Sequence, residues 1–179
     1  MSLEATNMMR RRLMRIRALG RCGIALLPLL TLAPAGDAIA QLLQHKDLSY
    51  GIAKTIAETA VEDCRVRGYA VAAVVVDRGG DTMVALRADN AAPHTMENAR
   101  RKAYTARTFR MTTEEFARRM GTEPVRREQT TLPNVIAIPG GVPVRAGDDV
   151  IGGVGVSGSP GVDEQCVMAG IDKVREQLK

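Results

Sequence analysis

The stretch Val150–Ser157 reads Val-Ile-Gly-Gly-Val-Gly-Val-Ser. Its β-branched residues favour a strand. Glycines at 152, 153 and 155 leave three positions with no side chain, a pattern that permits a bulge or the close approach of another backbone. Any fold for this chain must accommodate such a strand late in the sequence.

The other elements follow from periodicity and turn residues. Leu48, Ile52, Ile56, Ala60 and Cys64 recur every four residues, with Ala53, Ala57 and Val61 beside them. This predicts a helix over Asp47–Gly68, capped by Asp47 or Ser49 and ended by Gly68. Tyr69–Val76 is a run of small and β-branched residues, Asp77-Arg-Gly-Gly80 is a turn signal, and Asp81–Ala88 alternates. Together they predict a hairpin. Thr95 is the expected N-cap of a helix reaching about Phe109, with Ala99, Ala103, Ala106 and Phe109 on its buried side. Thr113–Met120 predicts a shorter helix and Gly121–Thr131 a charged loop. Asn134–Ile138, Gly141–Ala146 and Val150–Ser157 predict three more strands, and Val162–Leu178 a final helix. The order fits an α/β chain of the α+β type, with a five-stranded antiparallel sheet packed with helices.

The net charge of +5 suggests a polyanion partner until its distribution is read. Six of the 25 basic residues lie in the first 40, against two of the 20 acidic ones, so the remainder is nearly neutral. A nucleic-acid surface needs concentrated positive charge, and stacking needs aromatics; the chain has no Trp, two Phe and three Tyr. The arginines at 10–21, the apolar run Ile24–Ala33 and Ala38-Ile39-Ala40 read as a secretory signal peptide over residues 1–40. Met8, Met9 or Met14 would each begin a more compact signal. The run is interrupted by Pro28 and is shorter than the roughly 20 apolar residues of a membrane span. Cleavage before Gln41 would leave residues 41–179 as a single domain in the periplasm or secreted, with no stable membrane insertion. Cys22 lies ahead of the apolar run. Cys64 and Cys166 remain, in the first and last helices; a disulfide is open to them if those helices pack together, but two buried free thiols are the favoured expectation.

Several site classes find no support. No Walker A sequence is present, and the late position of the glycine-rich strand does not suit a dinucleotide fingerprint. Ser157 is not in a nucleophile elbow and is expected to end its strand. The absence of CxxCH means that any heme would be held non-covalently.

The segments Val74-Val-Val-Asp-Arg-Gly-Gly80, Ala92-Pro-His-Thr95 and Arg101-Lys-Ala-Tyr-Thr-Ala106 follow one another in a recognisable order. So do Pro139-Gly-Gly-Val-Pro-Val144, Ile151-Gly-Gly-Val-Gly-Val-Ser-Gly158 and Asp163-Glu-Gln-Cys-Val-Met-Ala-Gly170. From about Leu48 to Leu178 the chain resembles the GlcG/HbpS family, related to the C-terminal domain of PduO-type proteins. The resemblance implies a profilin-like fold and assembly as a homo-oligomer. Several members bind heme, and others accompany glycolate or diol metabolism. The expected function is therefore an exported, non-covalent binding module for heme or a related small molecule, serving transport, storage or sensing.

His94 is the candidate iron ligand, since an imidazole is a common heme ligand. It can equally be an ordinary loop residue or make a helix-start hydrogen bond. Thr95 stands beside it. Arg101 and Tyr104, with Arg100 and Lys102 as alternatives, are candidates for the heme propionates and ring; the basic residues can equally line a solvated helix face. Met96 and Met111 are expected to pack in the core, and His45 to sit near a mobile new N-terminus. Two other readings stay open: an enzyme acting on a small carboxylate or on the ligand, with His94, Asp77 or Asp163 moving protons, and a cofactor-free oligomeric accessory protein.

Overall fold

The computed structural model describes residues 42–179; the signal-peptide expectation lies outside the described residues. Helix α1 covers Tyr50–Val66, and the Ser49 hydroxyl caps it by accepting from the Ile52 amide. Strands β1 (Ala72–Val76) and β2 (Thr82–Arg87) form the expected hairpin. Helices α2 (Thr95–Phe109) and α3 (Thr113–Thr122) follow, then a 3-10 helix over Pro124–Thr131. Strands β3 (Gly141–Ala146) and β4 (Asp149–Ser157) precede α4 (Asp163–Lys173) and a terminal 3-10 turn.

The sheet has four strands, in the order β2-β1-β4-β3, each antiparallel to its neighbours. The expected fifth strand, Asn134–Ile138, does not form. Its backbone is engaged by α2 instead: the Ile136 amide donates to Thr105 Oγ1 at 2.9 Å, and the Val135 carbonyl accepts from Arg101 at 2.6 Å. Val135 and Ile136 are buried there, so the β-branched run reflects burial rather than sheet pairing. The α+β class stands; the strand count is corrected.

Helices lie on both faces of the sheet. Ala73, Val75, Val154 and Val156 pack with Ile56, Ala57, Ala60 and Val167 of α1 and α4. Ala72, Val74 and Val76 point the other way, against Ala99 and Ala103 of α2. On that face β4 carries Gly153 and Gly155. A Cβ on Gly155 would strike the Ala99 carbonyl and lie 2.6 Å from the Ala103 amide nitrogen. The glycines of the late strand are thus the seat of α2, which rests on the sheet almost backbone to backbone.

Cys64 and Cys166 form a disulfide joining α1 to α4, with Cα atoms 5.5 Å apart, which corrects the expectation of free thiols. The helices come close because Gly170 lies against the Ile56 backbone with no room for a side chain. Replacing both cysteines by alanine should cost about 2–5 kcal/mol, measured by denaturant unfolding, because the bridge closes a long loop. A loss below about 1 kcal/mol would show that the bridge adds little to packing.

Candidate functional site: a cleft where three helices begin

A cleft of about 740 Å³ opens where α2, α3 and α4 all start, beside the C-terminal end of β4. That volume is within the roughly 300–1,000 Å³ typical of small-molecule sites. Its walls include His94 and Lys102 from α2, Glu114 from α3, and Asp163 and Glu164 from α4, with Ile138 on the loop before β3.

Among the described residues Lys102 is the largest fully buried side chain, only 1% exposed. Its ammonium donates to Asp163 Oδ2 at 2.7 Å and to the Val156 carbonyl at 2.9 Å. Asp163 Oδ1 accepts from both the amide and the hydroxyl of Ser159, at 2.9 and 2.7 Å. The hydroxyl's one proton goes to Asp163, so its 3.1 Å approach to Cys64 Sγ is packing, a disulfide sulfur having no proton to give. Every charge of this pair is therefore answered by hydrogen bonds, the condition under which a buried ion pair is tolerated. The Pro139-Gly-Gly segment closes over it. Gly140 has φ +118°, and a Cβ there would lie 2.6 Å from that of Asp163.

His94 occupies the N-cap position of α2 but makes no side-chain capping bond. Its exposed imidazole, at the rim of the cleft, is not engaged in holding the helix. Thr95, expected as the N-cap, is instead the first helical residue; it is buried and its hydroxyl donates to the Ala92 carbonyl at 2.7 Å. It too lines the cleft.

Arg101 and Tyr104 do not line the cleft. Arg101 is turned to the Val135 carbonyl, and Tyr104 packs with Phe116, Met120 and Val135 and lies against Gly80. Arg100 is held by Glu97 and Asn134. Positions 100, 101 and 102 point in different directions around one helix turn, so the basic triplet never forms a patch. Met96 and Met111 pack against core clusters, as expected. Asp77 accepts from the Asp81 amide in the hairpin turn, at the end of β1 away from the cleft. His45 is exposed ahead of α1.

The sequence does not mark the two carboxylates of the cleft wall as a pair. Glu114 and Glu164 each stand second in their helix, α3 and α4, and both line the cleft. Burial, reinforced by the Glu114 side chain, pushes the Glu164 carboxyl up from its ordinary value, against an opposing pull from the Thr112 hydroxyl and the Glu114 backbone. Its Oε1 is buried with no hydrogen-bond partner. In the sequence these residues are 50 positions apart and read only as helix-start acids.

A family model described as "Haem degrading protein HbpS-like" matches residues 48–172. The Escherichia coli K12 protein GlcG is 31% identical over 110 residues, which span 62% of this chain and 81% of GlcG. A crystal structure of an HbpS double mutant from Streptomyces reticuli superposes with a TM-score of 0.71 at 35% identity, covering 79% of this chain and 97% of the other. A PduOC–heme complex gives a TM-score of 0.64 at 26% identity, over 71% and 94% of the two chains.

Proposed function

Because the chain belongs to the HbpS-like family, we propose that it is an exported, non-covalent binding module for heme or a related tetrapyrrole, serving transport, storage or sensing. The observation that carries this reading is His94, an exposed and unengaged imidazole at the rim of a cleft of about 740 Å³. The apolar part of the lining suits the ring of the group. Ile138, Pro139 and Pro160 offer apolar surface to a flat ring. Among the described residues no group of three or more His, Cys, Asp or Glu side chains is placed to hold a bare metal ion. A porphyrin would bring its own nitrogen ligands to the iron, and His94 would add an imidazole. Thr95 would shape the wall beside it. Arg101 and Tyr104 would serve by holding the 135–136 segment and the hairpin turn in place rather than by touching the ligand.

The disulfide supports export, since such bridges persist in oxidising compartments such as the periplasm or the extracellular space. Assembly as a homo-oligomer is part of the same reading; β2 and β3 are the sheet's two edges, and an apolar groove formed by Val142, Pro143, Met168 and Leu178 flanks the second.

Hemin titration of the mature protein should saturate, and His94→Ala should weaken binding at least about tenfold, a loss of about 1.4 kcal/mol, with a changed Soret band in both iron states. Unchanged affinity and spectrum in the variant would remove His94 from the site. Absence of saturable binding by the wild type would remove heme itself. A second reading, an enzyme that breaks down the ligand, is favoured by the family's description as haem degrading. It requires loss of the Soret band over time with reductant and oxygen, beyond the loss from free hemin.

A further inference from the structure

The cleft's charges do not match a propionate-bearing ligand as they stand. Lys102 faces the cleft from α2, but its charge is cancelled by Asp163 of α4. His94, also from α2, is the other basic group among the lining residues. What remains is Glu114 from α3 and Glu164 from α4, two carboxylates on one wall. The buried, unpartnered Glu164 Oε1 marks a position where a hydrogen is wanted and no protein group supplies one. An anionic ligand entering with both carboxylates ionised would meet two like charges; one shared proton halves that number and supplies a hydrogen-bond donor.

Resting on the tetrapyrrole reading above, we infer that the Glu114–Glu164 pair takes up a proton when the cleft receives a dianionic tetrapyrrole, so that binding tightens as pH falls. The first turns of α3 and α4 place both side chains, and Thr112 caps α3 by accepting from the Glu115 amide. Burial raises the carboxyl most able to hold the proton, Glu164. Linkage then sets the sign: a complex that binds one more proton than its free partners loses affinity by up to about tenfold per pH unit above the pair's titration in the free protein, and none below it.

The test is hemin affinity as a function of pH for the wild type, Glu164→Gln and Glu114→Gln, paired with denaturant stability of the unliganded proteins. The wild type should lose affinity with rising pH more steeply than either variant, and Glu164→Gln should bind more tightly than the wild type at neutral pH. Without ligand, Glu164 holds its proton more firmly folded than unfolded. Wild-type stability relative to Glu164→Gln should therefore fall as pH rises above about 4.3, the ordinary glutamate value. Saturable binding with parallel pH profiles in all three proteins would overturn the inference and leave the tetrapyrrole reading standing. Absence of saturable hemin binding by the wild type at every pH would overturn both. A stability difference independent of pH would overturn the proton-holding role of Glu164.

Discussion

Asp163→Ala should destabilise the protein by about 3–5 kcal/mol, a large part of the total stability of a domain this size. The substitution leaves the Lys102 ammonium almost wholly buried with one remaining partner, the Val156 carbonyl. It also orphans the Ser159 hydroxyl and amide. Lys102→Ala should cost a similar amount by leaving the carboxylate unpaired. The informative variant is the double one, Lys102→Met with Asp163→Ala. Replacing a buried pair by apolar groups is often neutral or favourable, so it should recover much of the loss. Equilibrium unfolding of the three variants decides it. Additive losses in the double variant would mean that the two residues act independently and that the 2.7 Å contact contributes nothing as a pair.

Gly155→Val should have an effect at least as large, about 3 kcal/mol or more, and prevent folding if α2 cannot move. The site is more restrictive than an ordinary core position because the obstruction is backbone. A side chain there would run into the Ala99 carbonyl and the Ala103 amide, and neither can change rotamer. Lifting α2 off the sheet would also withdraw Lys102 from Asp163 and His94 from the cleft rim. Loss of hemin binding should therefore accompany loss of stability. A wild-type unfolding midpoint for Gly155→Val would contradict the close seating of α2. Gly51, with open space around it in α1, is the control, and Gly51→Ala should be neutral or slightly stabilising.

The comparison of sequence with structure turns on which residues carry local information. The apolar stripe from Ile52 to Cys64 and the Asp77–Gly80 turn impose their conformations through nearest neighbours, and α1 and the first hairpin appear where expected. Asn134–Ile138 has the composition of a strand but is absent from the sheet, because its burial comes from α2 and its backbone is satisfied by Thr105 and Arg101. β-propensity records a half-buried pleated surface, and a buried segment beneath a helix satisfies the same preference without a ladder. The N-cap of α2 differs by one residue for a similar reason: the Thr95 hydroxyl turns back to the Ala92 carbonyl and leaves the cap position to His94.

For the candidate site, the sequence alone determined that an imidazole stands at the start of a helix, that any heme is non-covalent, and that a glycine-rich strand waits for a close neighbour. Residue type and spacing carry each of these. Only the tertiary structure decided that Lys102, one of three adjacent basic residues, is buried against Asp163, 61 positions away. Only it brought Glu114 and Glu164 into one cleft and Cys64 to Cys166. The physical reason is common to all three. Whether a charge, a proton or a sulfur is shared depends on distances of a few ångströms between separate helices, and for Lys102 and the disulfide those distances are set by how closely glycines 155 and 170 let the helices approach sheet and neighbour.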